Sequence, residues 1–544
     1  FASAPFSTVP TWTDVTSDCL AFHTQRGRQH ELNRMETGIA SMLLKNLQSS
    51  YWANNTTGSY YGNLLPGKKI SIEATWLGTA YDVFTGFIEA WEPEWLAEGG
   101  LGTTVNLRCA DLMKNLARLN ISDATGYAQE VSGTRVGNVL NDLGFPTYQW
   151  QERYDAGDDD DGAWIYGTTN WYAQTFTPSK SHTVLLINLK LWRVNNPGTI
   201  TLGIRLTDVN GHPTGSDLWA ATLDGNTISN ATPGAWYQFL LTADYLTAGS
   251  KYALVLRATT GDASNYIIWR RDASSPTYTG GNLEFSSDSG ATWGTYVGYD
   301  FMFQEYGSIR KLGSGQSTIQ SAGTMTNVNA LQHLQIVAES EVGNVFVAPN
   351  GDAVFQDRHA RYKSPYTVSS ATFGDDAGEL PYRTIDLSYD DEFLYNAISV
   401  QRLSGAVQST SDATSQTAYG TRSLAKDSLL MVSDNDAMSQ AQYLLSNYKD
   451  PTLRVQSVTI HPQKSTTALW PKVLGLDLSA RITLRLNQAN IDKDYHVEGI
   501  SHDYDARQGL WETKWQLSAA AAVKYWILQS TGYSELGQTT RLIH

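Results

Sequence analysis

The run Ile200-Thr201-Leu202-Gly203-Ile204-Arg205-Leu206-Thr207 alternates apolar and polar residues with a period of two, the pattern of a strand with one buried and one wet face. Further short strands are predicted at Leu185–Val194, Trp236–Leu241, Lys251–Ala258 and Tyr266–Arg270. Asn210-Gly211 and Thr260-Gly261-Asp262 lie between them and supply turn chemistry. Five or more such strands in one stretch make a β-sandwich or jelly roll, here bounded at 155–306. The flanking text reads as one protein interrupted by this module. A jelly roll has its termini close together, so it can be spliced into a host loop at little cost.

Upstream, from Thr8 to Trp95, the text is β-like, with Trp12, Val15, Leu43, Ile70, Ile72, Phe84 and Phe87 in short runs between Gly and Pro. The period then turns helical. Leu112, Leu116 and Leu119 share one face, Val136, Val139, Leu140 and Leu143 another, and Gly144 and Pro146 supply a stop. Downstream, a helix is predicted over Asn329–Ser340 and a hairpin at Val345–Val347 and Ala353–Gln356, around Pro349-Asn350-Gly351. Pro365–Leu380 is loop-like. A final β-rich unit holds one clear helix, opened by Ser433-Asp434-Asn435-Asp436, carried by Met438, Ala441, Leu445 and Tyr448, and closed by Lys449 and Pro451. No tandem repeat of about 20–50 residues is legible, which disfavours a solenoid or propeller.

The fold class that follows is mainly β with minor α, in several domains. The expected division is a β-barrel domain over 1–100, a small helical segment over 101–154, the inserted sandwich over 155–306, a continuation of the α+β part over 307–385, a second β-barrel over 386–520 and a tail over 521–544. The length of 544 residues agrees, since about 150 residues per domain gives three or four units. Charged residues are only 17% against 41% hydrophobic, with 45 Gly and 17 Trp, a balance that favours turn-rich β architecture over bundles or disorder.

The formal net charge of −15 argues against affinity for nucleic acid, which depends on Lys and Arg displacing counterions from phosphates. It leaves open an acidic wall past which DNA slides without sticking. Cys19 and Cys109 are the only cysteines, so a disulfide framework and a Cys-rich metal site are excluded, and two buried thiols are expected rather than a bridge. Phe1-Ala2-Ser3-Ala4-Pro5 has no basic region followed by an apolar core, and no stretch approaches the ~18 apolar residues of a membrane span. Classical secretion and membrane anchoring are therefore not expected, although an opening on Phe1 leaves room for a trimmed leader.

Four local features have a chemical and a structural reading. Asp158-Asp159-Asp160-Asp161 offers hard oxygens to Ca²⁺, but lacks the spacing of a dedicated loop and reads first as a solvated linker, with a structural calcium second. Ser286-Ser287-Asp288-Ser289-Gly290-Ala291-Thr292-Trp293 matches an Asp-box. That box is a hairpin device in which Asp288 caps the turn, Gly290 takes the unusual angle and Trp293 packs beneath. Arg26-Gly27-Arg28 puts two cations on one strand face and is expected to make salt bridges within or between chains rather than contact phosphate. The pairs Glu339/Glu341 and Asp390/Asp391 have no partner motif for acid–base work. No His-Glu-x-x-His, Gly-x-Ser-x-Gly or Walker loop occurs, so no catalytic residue is assigned and an enzyme is not expected.

Outside the module, ordered motifs resemble the minor tail proteins of long, non-contractile tailed phages. In the first part these are Pro10-Thr11-Trp12-Thr13-Asp14-Val15-Thr16, Arg26-Gly27-Arg28-Gln29, Thr85-Gly86-Phe87-Ile88 and Leu107-Arg108-Cys109-Ala110-Asp111. In the second they are Glu339-Ser340-Glu341-Val342-Gly343, Tyr395-Asn396, Tyr419-Gly420, Asp450-Pro451 and Val497-Glu498-Gly499-Ile500-Ser501-His502. The resemblance spans roughly 1–150 and 307–520, and its weight lies in the order of short motifs. It implies a homotrimeric baseplate hub of tandem β-barrels at the virion tail tip. Such a hub is assembled in the host cytoplasm, meets the distal tail protein and the tape measure protein, closes the tube, and lets DNA pass without specific binding.

The module resembles β-sandwiches of phage structural and carbohydrate-associated proteins through Tyr172-Ala173-Gln174-Thr175-Phe176-Thr177-Pro178, Gly211-His212-Pro213-Thr214-Gly215 and Ser274-Ser275-Pro276-Thr277-Tyr278. This implies attachment to a host-surface glycan, since saccharide C–H faces stack on exposed rings. Core packing is the first reading of its large aromatics. Trp171, Trp219, Trp269 and Tyr278, near strand ends or in loops, are the candidates for saccharide contact. No cofactor is implied beyond the calcium reading. Two alternatives stand beside the hub: a distal tail protein forming a hexameric ring, and a secreted glycan hydrolase carrying a carbohydrate-binding module.

Overall fold

A computed structural model describes residues 6–95, 103–123, 125–155, 157, 159–520, 524–526 and 540–542. The fold is mostly strand with a few helices. Two compact units divide the chain, one built from 1–145 with 310–544 and the other from 146–309. Most of the tail expected at 521–544 lies outside the described residues.

The first unit opens with five strands, β1 (Cys19–Gly27), β2 (Glu36–Lys45), β3 (Lys69–Trp76), β4 (Thr79–Glu94) and β5 (Thr104–Ala110). In β2 the residues Gly38, Ala40, Met42 and Leu44 are buried while their neighbours are more accessible, the period-two signature of a half-buried strand. Helix α1 (Leu112–Arg118) follows, with Asp111 as its N-cap accepting from the Met113 amide. Helix α2 (Ser132–Asp142) buries Val136, Val139 and Leu140, and Gly144 takes φ +68° just past its end. Both helices fall where their apolar spacing puts them.

The second unit is the sandwich. Its strands are β6 (Tyr148–Tyr154), β7 (Asp161–Ile165), β8 (Trp171–Phe176), β9 (His182–Val194), β10 (Thr199–Thr207), β11 (Pro213–Asp224), β12 (Ala235–Leu246), β13 (Tyr252–Arg257), β14 (Tyr266–Asp272), β15 (Leu283–Ser286), β16 (Gly294–Tyr296), β17 (Asp300–Phe301) and β18 (Phe303–Ser308). One sheet runs β11-β10-β13-β8-β15-β16; the other runs β17-β14-β9-β18-β6, with β12 also pairing β9 and β7 pairing β14. Ile200, Leu202, Ile204, Leu254 and Leu256 of the first meet Ile187, Leu189, Leu191 and Phe303 of the second in one dry core.

The sandwich is larger than the sequence pattern indicated. The boundary expected at 155 moves back to 146, because β6 pairs with β18 from Tyr148 opposite Ser308 to Tyr154 opposite Phe303. The boundary at 306 moves to 309 for the same reason. First and last strands are thus antiparallel neighbours, and the two ends of the module lie side by side.

After the module, Arg310–Leu312 pairs in parallel with Ala353–Gln356, whose hairpin partner is Asn344–Val347. Helix α3 (Ala330–Glu341) is capped by Asn329, and helix α4 (Asp434–Tyr448) by a reciprocal capping box of Ser433 and Asp436. Two helices went unread in the sequence, Ala413–Tyr419 and Thr466–Gly475, the second with Pro471 inside it. The last five strands named are β19 (Thr384–Ser388), β20 (Arg454–Ile460), β21 (Arg481–Leu486), β22 (Ile491–Asp505) and β23 (Leu510–Ala519).

These five repeat the topology of the first five. Strands β1–β5 lie in the spatial order 1-2-5-4-3 with every pair antiparallel. Strands β19–β23 lie in the same order with the same directions. Fine detail repeats as well. The fourth strand of each copy bulges against the fifth, between Ile88 and Ala90 and between Val497 and Gly499, which leaves Glu89 and Glu498 in equivalent places. Just before the third strand, Gly67 donates to the Ile88 carbonyl at 2.7 Å and Ile88 to that of Lys68 at 2.8 Å; Ser479 donates to Val497 at 2.7 Å and Val497 to Ala480 at 2.9 Å. Gly67 and Ser479 both have positive φ, +82° and +69°. The chain contains one five-stranded unit twice.

The copies are not separate domains in hydrogen-bonding terms. Strand β1 of the first pairs with β22 of the second from Ala21 opposite Asp505 to Gly27 opposite Gly499, which fuses them into one 11-stranded sheet.

Candidate functional site

Arg26-Gly27-Arg28 sits at the seam between the copies. Arg26 is buried and donates to Asp477 Oδ1 at 2.8 Å and to the Val347 carbonyl at 3.2 Å. The Arg28 Nε donates to Glu498 Oε2 at 2.8 Å, and Arg361 adds a second guanidinium at 3.0 Å. Gly27 has φ +93°, and a Cβ there would lie 2.2 Å from the Glu498 carbonyl oxygen, so only glycine lets β1 approach β22 this closely. The salt bridges are intramolecular. Burial alone would raise the Glu498 carboxyl, but Arg28 and Arg361 outweigh it and hold it well below the usual glutamate range.

The carboxylate pairs are engaged structurally. Glu339 takes a forked bond from Arg34 at 2.9 and 2.8 Å. Glu341 is fully buried at the end of α3 and accepts from Ser132 Oγ at 2.7 Å and the Ser317 amide at 2.6 Å. Asp390 is bound by Arg454 and Asp391 by Arg422. Both cysteines are free; Cys109 is buried, which pushes its thiol up to about 12.

In the sandwich, the four aromatic candidates do not converge on one accessible surface. Trp269 is 0% exposed, stacks on Phe301 at 4.0 Å and donates Nε1 to the Met302 carbonyl; no saccharide reaches it. Tyr278 and Trp219 pack against the same core. Trp171 lies on the other side of the first sheet, over Ala173, Ala253 and Val255, with the Arg205 and Arg257 guanidinium carbons 5.1 and 4.9 Å from its ring centre. Both arginines are held by Asp217. The Asp-box closes over this patch: Asp288 accepts from the Thr292 amide at 2.9 Å, Gly290 has φ +81°, and Trp293 packs on the same small residues.

The most exposed tryptophan of the module is one the sequence reading missed. Trp164 is 60% exposed on β7, between the inward-facing Ala163 and Ile165. The alternation Ala163-Trp164-Ile165 carried that signal, obscured by the aspartates before it.

Those aspartates are not a solvated linker. Asp158 lies outside the described residues. Asp159 binds Arg270 at 2.6 Å and also Lys190, Asp160 accepts from the Ala273 amide at 2.9 Å, and Asp161 opens β7 and binds Arg271 at 2.6 Å. Cations on β9 and β14 take up these carboxylates, so the run is part of the sheet. Among the described residues no group of three or more His, Cys, Asp or Glu side chains is arranged to hold a metal.

A buried acidic pair lies elsewhere in the module. Asp272 and Asp300 are direct cross-strand neighbours, 1% and 5% exposed. Tyr154 donates to Asp272 at 2.6 Å and Gln174 to Asp300 at 3.1 Å. Burial pushes Asp300 up to about 6, with the Asp272 charge adding to the effect against the bonds from Gln174 and Tyr278. A raised carboxyl contributes stability that is present in acid and lost as pH rises through about 6. Thermal unfolding should therefore show the module losing about 2 kcal/mol between pH 4 and 7 relative to Asp300→Asn. Identical pH profiles for the two proteins would remove this role.

Fold and site together describe a multidomain β protein with a duplicated scaffold interrupted by a sandwich. No family model matches the chain. No curated protein matches it. Among solved structures, the tail protein of Neisseria meningitidis MC58 is similar over 92% of each chain, at 9% identity and a TM-score of 0.44. The 43 kDa tail protein of prophage MuSo2 from Shewanella oneidensis is similar over 92% of this chain and 94% of its own, at 8% and 0.42. Prophage tail protein gp18 of Listeria monocytogenes EGD-e matches over 93% and 92%, at 8% and 0.35. At these identities and superpositions the likeness assigns neither family nor function.

Proposed function

We propose that this chain is a structural protein of a phage tail tip: a hub ring that closes the tail tube and lets DNA pass, with an inserted module for attachment to a host-surface glycan. The observation that carries the reading is the duplication. One chain holds two copies of a five-stranded unit in the same strand order, so three chains offer six copies in a ring, the number that meets a six-chain neighbour such as a hexameric distal tail ring. The ordered motifs support it physically, since Arg26-Gly27-Arg28 and Val497-Glu498-Gly499 are the residues that join the copies. Three chains carry about 3 × −15 = −45 formal charges, which disfavours adhesion of DNA to a lumen they line.

A hexameric distal tail protein is the rival within this class, and it would place twelve copies in a ring. Native mass spectrometry of the full chain of 60.0 kDa should give three chains per assembly; six would favour the rival. A secreted glycan hydrolase, the rival of another class, requires turnover of a polysaccharide by the purified protein. The pairs Glu339/Glu341 and Asp390/Asp391 are engaged here by arginines, a serine hydroxyl and backbone amides, and Asp272/Asp300 is buried, which favours the non-enzymatic reading.

A further inference from the structure

We propose that the sandwich binds an uncharged polysaccharide strand on the face of its second sheet turned away from the core, along rows centred on β9. This rests on the glycan-attachment reading above. Ile187, Leu189 and Leu191 of β9 point into the core, so Asn188, Lys190 and Trp192 point outward, in rows about 7 Å apart.

The first row is aromatic. Trp164 lies opposite Ile268, and Ile268 opposite Trp192. Ile268 is 3% exposed despite facing outward, because its flanking indoles cover it, while Trp164 itself stays open. The Tyr266 ring lies 5.7 Å from that of Trp164, tilted by 33°, which extends the stacking surface by a second ring.

The second row carries Lys190 and Arg270, both bound by Asp159. Lys190, Arg270 and the neighbouring Arg271 are matched in number by the carboxylates of Asp159, Asp160 and Asp161, so this part of the module exerts little pull on an anionic ligand. The third row, Gln238, Asn188, Gln304 and Arg153, presents three amides beside a guanidinium that Asp155 neutralises. Asn188 donates to Gln304 at 3.2 Å and Gln304 to Asp155 at 2.8 Å, which leaves Gln238 and Asn188 as the amides open to a ligand. Amides donate and accept at once, as sugar hydroxyls require. Open aromatic rings, compensated charge and an amide row on one sheet face together specify a neutral chain of pyranose rings that stacks at one end and hydrogen-bonds at the other.

The full chain is applied to a printed array of neutral and acidic bacterial surface polysaccharides, alongside Trp164→Ala, Asn188→Leu and Trp171→Ala, with the circular dichroism of each variant recorded. Wild type is expected on neutral polysaccharides. Trp164→Ala should weaken binding about tenfold, equal to 1.4 kcal/mol, and Trp171→Ala should leave it unchanged. Asn188→Leu gives an independent loss should Trp164→Ala fail to fold. Binding only to acidic polysaccharides, or loss in Trp171→Ala with none in Trp164→Ala and Asn188→Leu, overturns this placement while glycan attachment stands. Wild type that binds no polysaccharide overturns both, and self-association abolished by Trp164→Ala would assign the face to a second copy instead.

Discussion

Excising Pro146–Ile309 and joining Phe145 to Arg310 through a short flexible linker should leave a folded scaffold that unfolds cooperatively. The scaffold stumps already touch: Arg310 donates to the Phe145 carbonyl, lies 5.4 Å from the centre of its ring, and donates to Asn141 Oδ1 at 2.7 Å at the end of α2. The linker therefore spans a short gap, and closing it costs little chain entropy. Cutting instead at the sequence-derived boundaries, 155–306, should fail. That deletion keeps β6 but removes Phe303–Tyr306 of β18, the one strand that pairs with β6 among the described residues, leaving a largely unpaired edge with Trp150 and Tyr154 on it, an aggregation template. Size-exclusion chromatography and thermal unfolding distinguish the two. A monodisperse first deletion and an aggregated second are expected; if both aggregate, the module is part of the scaffold's folding unit.

Glu498→Gln should cost about 3–5 kcal/mol, because it removes the anion between two largely buried guanidinium groups, Arg28 and Arg361, and leaves them facing each other. Its topological counterpart gives the control. Glu89 occupies the same bulge in the first copy, but its partner Arg118 is 61% exposed and Glu89 itself 26%, so Glu89→Gln should cost under about 1 kcal/mol. The pH dependence has a definite sign. The Glu498 carboxyl is held below its ordinary range, so its contribution is complete above that range and is lost as the solution is acidified below it. Denaturant unfolding at neutral pH measures both variants; equal costs would mean that the seam is not where the copies are held together.

Much of the fold was legible because local chemistry and tertiary structure agree. Asn329, Ser433 and Asp436 cap the helices their spacing announced, and the strands at Ile200–Leu206 and Tyr266–Arg270 follow from alternation enforced by a two-sided core. The edge of the module was not legible, since Tyr148-Gln149-Trp150-Gln151 has strand character whichever unit it joins. The duplication left almost no trace. Beyond Ile88-Glu89-Ala90 and Val497-Glu498-Gly499, the copies share hydrogen-bonding order rather than residues, and any apolar side chain of suitable size fills an inward position. The site was read least well. Trp269 and Trp164 are both strand tryptophans, and only the parity of their strands against the core decides which is buried and which is open.

The central claim is that three chains close a ring from six copies of the duplicated unit at a tail tip. A cryo-electron microscopy map of isolated virion tails, reconstructed without imposed symmetry, tests it most directly. Density for this chain as a threefold ring at the tube's end, with six five-stranded units around the lumen and three sandwiches, is the predicted result. A ring of six chains, or tails whose tip lacks this chain, would contradict it.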